Sequence, residues 1–228
     1  MVEYKGDYTV FMDERWSMVD LYQFPRAFEQ TYYFAYFFGP TRRDVEPLRK
    51  ALERYPFEGG YSIVNFYRLM QQRTTVKHRP LVAQIRYASP GWMDLILDLP
   101  TALEVAKQVA AYMGGGVLVA KSVRALQKLV YEIYDEARKR GTSKIAIARN
   151  YAEELNRLSD EVAQSFGYES YSALLAVSRD PLEGAQLLLA HERRLKQLVE
   201  YVDQGKVALP VLPRLPQSIP RAAPKGSE

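Results

Sequence analysis

The chain is 228 residues long, enough for one or two domains with a real hydrophobic core, and its 47% hydrophobic and 25% charged residues exclude a wholly disordered or collagenous polypeptide. It has no cysteine and two histidines, His78 and His191, which exclude disulfides, thiolate metal sites and any multi-histidine metal site built from one chain. The formal charge is +4, but Lys206, Arg214, Arg221 and Lys225 against Glu228 place +3 of it after Gly205, so the body is near neutral and the basic pI is a property of the C-terminus.

Aromatic residues are concentrated at the start. Residues 1–67 hold 18 of the 28 in the chain, after which Ala, Leu and Val take over. Such a shift predicts two layers of different packing, an aromatic α+β part and then a helical part. The fold class expected is therefore α+β: a small antiparallel β-sheet covered by aromatic-rich helices, followed by a helical arm or bundle. The expected division is residues 1–99 for the α+β domain, 100–204 for the helical region and 205–228 for a Pro-rich flexible tail.

A first strand is predicted over Tyr4 to Met12, with Tyr4, Tyr8, Val10 and Met12 on one face. A helix follows from Val19 to Phe38. Ser17 and Asp20 have the spacing of a capping box, and Trp16 is placed to staple onto Leu21. Pro25 predicts a kink or a later start, because it removes one helical N–H and crowds the preceding turn. Phe24, Phe28, Thr31, Ala35 and Phe38 make one helical stripe, and Gly39-Pro40 ends it.

A short helix is predicted over Val45–Tyr55, with Glu46 and Lys50 as a pair four apart, stopped by Pro56 and Gly59-Gly60. Tyr61–Gln72 reads as a further helix with Ile63, Phe66, Tyr67 and Met70 on one face, although Tyr61–Tyr67 also fits a strand. From Leu81 to Leu99 apolar and polar residues alternate on both sides of Ser89-Pro90-Gly91-Trp92. That pattern predicts a β-hairpin with a type II turn, Leu81, Ala83, Ile85 and Tyr87 sharing a face. Together with the first strand it gives a three-stranded sheet.

From Pro100 to Arg140 the pattern is helical, with a kink or break expected at Gly114-Gly115-Gly116 and a glycine stop at Gly141. The uncharged run Val109–Ala120 is too short for the roughly 20 residues a bilayer requires, so it reads as buried helix rather than a membrane span. Further helices are expected from Thr142 or Ser143 to Phe166, over Tyr171–Val177 capped by Ser170, and from Asp180-Pro181 to Asp203. Pro210, Pro213, Pro216, Pro220 and Pro224 then predict an extended terminus.

Several constellations bear on chemistry. His191-Glu192 opens like a zinc-protease helix but lacks the second histidine four residues on, so His191 reads as a packed helix residue. Gly114-Gly115-Gly116 lacks the Lys-Ser/Thr of a phosphate loop. Ala106, Ala110, Gly114 and Gly115 instead form a small-residue stripe, a candidate association surface for another helix. Asp94 and Asp98 lie about 13 Å apart along one strand, too far for a carboxylate pair, and read as a solvated face.

Residues 59–93 contain no acidic side chain, while Arg68, Arg73, Lys77, His78, Arg79 and Arg86 form a candidate nucleic-acid surface interleaved with aromatics. An unrecognised hydrolase or nuclease would need His78, Asn65, Tyr67 and Arg68 in one cleft. No catalytic residue, cofactor or metal site is assigned. The balance favours a non-catalytic module that binds itself or a protein partner, ahead of a nucleic-acid binder. The start of the chain has no cationic segment leading into an apolar run, which points to a cytoplasmic protein.

Tyr61-Ser62-Ile63-Val64-Asn65-Phe66-Tyr67, Arg79-Pro80 and Ile85-Arg86-Tyr87-Ala88-Ser89-Pro90-Gly91-Trp92 resemble a pattern found in uncharacterised bacterial proteins, extending to the Asp180-Pro181 helix with Leu189-Ala190-His191. The hairpin before a long helix is also similar to small α/β modules carried beside effectors of bacterial conflict systems. The resemblance implies a bacterial cytosolic protein, accessory to a defence-type system, and supplies no catalytic residues.

Overall fold

The computed structural model describes residues 5–40, 44–57 and 62–211. The expected roles of Tyr4, Gly59, Gly60 and Tyr61, and of the prolines from Pro213 onward, lie outside these residues. The fold is α+β. Strand β1 (Lys5–Met12) is followed by helices α1 (Met18–Phe38), α2 (Glu46–Arg54) and α3 (Ser62–Arg73), then the hairpin β2 (Leu81–Arg86) and β3 (Gly91–Asp98). Helices α4 (Leu99–Arg140), α5 (Lys144–Asn150), α6 (Ala152–Ser165), α7 (Ser172–Val177) and α8 (Pro181–Asp203) complete the helical part, and β4 (Val207–Ala208) returns to the sheet.

The sheet is antiparallel in the order β2-β3-β1-β4, one strand more than expected. The fourth comes from the segment assigned to the tail: Val207 and Ala208 pair with Met12 and Phe11, and Tyr8 donates its hydroxyl hydrogen to the Pro210 carbonyl at 3.1 Å. Tyr8, Val10 and Met12 of β1, with Met93, Leu95 and Leu97 of β3, form the inner face on which α1 lies.

Helix α1 begins where its capping box dictates. Ser17 accepts from the Asp20 amide at 3.1 Å, and the Asp20 carboxylate accepts from the Ser17 amide at 2.8 Å. The helix starts at Met18 and is continuous through Pro25, against the expectation of a later start. Trp16 packs against Phe24 and Tyr201, with ring centroids 5.5 and 5.8 Å away. Nor does α1 bury one stripe alone. Every residue from Thr31 to Phe38 is buried, because the sheet takes one side and α8, α4 and α3 take the rest. One continuous apolar core therefore joins the aromatic part to the helical part.

The hairpin departs from its expected geometry in two places. Gly91 is the first residue of β3 and does not have a positive φ, so the type II turn is replaced by a loop over residues 87–90 with a cis Ser89–Pro90 bond. A bulge between Val82 and Gln84 then shifts the register of β2. Val82 faces Leu95 and Ile85 faces Met93, so these two share the inner side, while Leu81 pairs with Ile96 on the outer side.

Asp98 is not on a solvated face. It is buried as the N-cap of α4, accepting from the Thr101 amide at 3.3 Å and hydroxyl at 2.5 Å. Helix α4 kinks at Gly116, whose φ of 42° and ψ of −111° are non-helical. The expected helix from Ser143 to Phe166 is divided at Tyr151 into α5 and α6.

Candidate interaction surface

Helix α1 covers β1 and β3 but leaves β2 uncovered. Between them runs a groove of about 520 Å³. Leu21, Tyr22, Phe24, Pro25 and Phe28 line the α1 side, Met93 and Leu95 form the floor, and Val82 with Pro80 forms the opposite lip. All six residues of β2 are exposed; Val82 stands 53% and Ile85 48% open on the inner side of the sheet. Met18, Val19, Tyr22, Leu81 and Tyr87 are further exposed apolar residues on α1 and the hairpin. Monomeric proteins rarely leave such a cluster uncovered without use for it.

The polar groups of the groove are held in place. Arg26 hydrogen bonds to the Tyr22 hydroxyl and lies over its ring at 5.5 Å. Glu29 accepts from the Tyr33 hydroxyl at 3.1 Å and from Gln71 Nε2 at 3.0 Å, which moors α3 to this end of α1. Gln30 also lines the groove; its carboxamide oxygen is buried without a hydrogen-bond partner. Arg86 stacks on Trp92 at 4.6 Å, and Arg79 donates to the Thr74 and Gln72 carbonyls at 3.2 and 3.4 Å.

The candidate basic residues are not all on the surface. Arg68, Arg73, Lys77 and Arg86 are exposed, but His78 is buried, with Nδ1 2.7 Å from the Tyr36 hydroxyl and 3.1 Å from that of Thr75. The cleft an enzyme reading requires is not assembled from these groups. Tyr67 is buried, donates to the Ala190 carbonyl at 3.2 Å and has its ionisation pushed up by burial, while Asn65 and Arg68 are exposed on α3. Among the described residues no cluster of three or more His, Asp or Glu side chains could hold a metal.

The small-residue stripe is likewise divided. Ala106 is buried inside the protein, whereas Ala110 and Gly114 are exposed. No described atom outside its own helix lies within 4 Å of where a Cβ of Gly114 would stand, so no described helix of this chain packs there. The run from Val109 is not a buried helix: Val117 is 83% and Leu118 74% exposed beside the kink. By length and composition α4 is apolar enough to cross a membrane, its most apolar window having a mean hydropathy of 1.2 and 22% of its residues buried.

The groove is a site that the sequence patterns do not single out. Its signal is present in β2, where Leu81, Val82 and Ile85 are apolar on both parities, and in α1, where Leu21, Tyr22, Phe24, Pro25 and Phe28 cover more than one face. No protein-family model, curated protein or solved structure matches this chain.

Proposed function

We propose that this protein is a non-catalytic interaction module whose working surface is the groove between α1 and β2. The observation that carries the reading is the uncovered strand: β2 closes the sheet with all its residues exposed, beside an apolar channel already shaped by α1. Burying apolar area there stabilises a complex by about 25 cal/mol per Å², and the strand's outer amides and carbonyls supply directional bonds. The cysteine-free composition suits a reducing compartment such as the cytoplasm.

A displayed library of random peptides selected on the full chain tests this, with Val82→Glu as the counter-selected control. Val82 is on an exposed edge, so the substitution leaves the core intact. The reading expects peptides retained by the wild type and depleted about tenfold on the variant. Failure to enrich any peptide on the wild type over the variant overturns it.

A further inference from the structure

An edge strand normally carries a guard: short length, proline, lysine, a bulge or an inward charge. Strand β2 has six residues and its guards, Pro80 before it and the bulge at Val82–Gln84, lie in its first half and leave the second half regular. No described strand pairs with its outer side. A strand added there at the usual spacing of about 4.8 Å would extend the sheet beyond Val82 and Ile85, and its alternate side chains, about 7 Å apart, would stand on the same inner side as theirs, beside the lip of the groove.

Charge selects the occupant. No acidic residue occurs between Ser62 and Met93, and Arg79 and Arg86 bracket β2 while Arg26 stands on the opposite wall. The carboxylates that adjoin the area lie off the strand itself: Glu29 on α1, bonded by Tyr33 and Gln71, Asp94 on β3, bonded by the Thr9 hydroxyl at 2.7 Å, and Asp13, bonded by the Ser89 hydroxyl at the hairpin loop. A second copy pairing β2 against β2 would bring Arg79 and Arg86 of each copy together with no carboxylate on either strand to offset them. The chain's own residues 212–228 carry Arg214, Arg221 and Lys225 against Glu228 alone, and meet the same repulsion. Complementarity therefore points away from this chain itself.

We propose that the free edge of β2, beside the groove, takes an extended segment of a different protein, apolar at alternate positions and flanked by acidic residues, added as a fifth strand. This rests on the reading of the groove as an interaction surface and specifies what that surface recognises.

The test is fluorescence anisotropy at physiological salt, using full chain and a labelled peptide in which Val and Thr alternate between paired Asp residues at each end. Binding is expected to weaken about tenfold or more when the peptide is N-methylated at alternate residues, when every Asp is replaced by Lys, and when the protein carries Val82→Glu or Ile85→Glu. Melting curves of both variants are expected to match the wild type. Equal binding of the Lys peptide overturns the charge selection, and indifference to N-methylation overturns strand addition. Failure of the acidic peptide alone, while library-selected peptides still depend on Val82, ends this inference and leaves the interaction reading standing; loss of all peptide binding ends both. A wild-type dimer in light scattering that Val82→Glu dissolves would make a second copy the occupant. Tighter binding by residues 212–228 as a free peptide, or by a single-stranded oligonucleotide that displaces the acidic peptide, would likewise overturn it.

Discussion

His191 shows how a side chain with a familiar chemistry is put to structural use. Its ring lies parallel to Phe34 at 3.9 Å, its Nε2 is 3.1 Å from the Tyr168 hydroxyl, and its Nδ1 is buried without a partner. Burial disfavours the imidazolium and pushes its pKa down to about 3. The unfolded chain takes up this proton near pH 6.5, whereas the folded chain refuses it until about pH 3. Between those values the unfolded state binds more protons, so stability falls as pH drops. At pH 5 the loss relative to pH 7 is about 2 kcal/mol. Glu104, whose carboxyl is pushed up by burial, acts in the opposite direction, and it is common to wild type and variant. Urea unfolding at the two pH values is expected to show a markedly smaller loss for His191→Gln than for wild type; equal losses would refute the assignment. The capping pairs were legible in the sequence because each is a local code: Ser17 with Asp20, and Asp180, which accepts from the Glu183 amide at 2.9 Å. His191 was legible as a packed helix residue, though not its stacking on Phe34, and the role of Asp98 was not legible. Strand alternation turns Asp98 outward, and only the start of α4 on its heels makes it a buried cap.

At the scale of elements, local deviations decided which expectations failed. The bulge in β2 moves Val82 to the inner face and undoes an alternation that otherwise reads cleanly from Leu81 to Tyr87. Helix α1 tolerates Pro25 because its tertiary surroundings outweigh one lost hydrogen bond; proline's position alone does not carry that information. In α4 the kink and its place were legible, since three successive glycines weaken any helix, but its exposure was not. These glycines are not equivalent, and substitution separates them. Gly114 is helical and open, so Gly114→Ala is expected to stabilise by up to about 1 kcal/mol. Gly116 has φ 42° with ψ −111°, a conformation that L side chains avoid, so Gly116→Ala is expected to destabilise by about 1–3 kcal/mol. A Cβ on Gly115 would press on the buried Val119, and Gly115→Ala is expected to be neutral or unfavourable. Thermal melts of the three variants check the order. A stabilising Gly116→Ala would mean that α4 is straight in solution.

For the whole molecule, the aromatic gradient along the sequence foretold the layers but not their closure. Residues after Pro100 form the expected helical part; its helices α4 and α8 pack on α1, and the chain then comes back to the sheet. Nothing local announces that return, because Val207 and Ala208 are two residues whose partners, Met12 and Phe11, lie near the other end of the sequence. Two truncations isolate its contribution. Ending the chain at Val211 retains β4, the Tyr8–Pro210 bond, the bond from the Asp13 amide to the Lys206 carbonyl at 3.0 Å, and the Lys206–Asp20 ion pair at 3.1 Å. Ending it at Gly205 removes all of these, uncovers the surroundings of the buried Val207 and leaves the Tyr8 hydroxyl without its acceptor. The ion pair contributes little, and the larger losses are about 1.5–3 kcal/mol for the valine and about 1–3 kcal/mol for the stranded hydroxyl. The shorter chain is expected to melt roughly 5–10 °C below the longer one. Val207→Asp in the full chain tests the same contact without removing any residue and is expected to lower the melting temperature in the same direction. Equal melting temperatures for the two truncations, with Val207→Asp silent, would show that β4 contributes nothing to holding the sheet against α1 and α8.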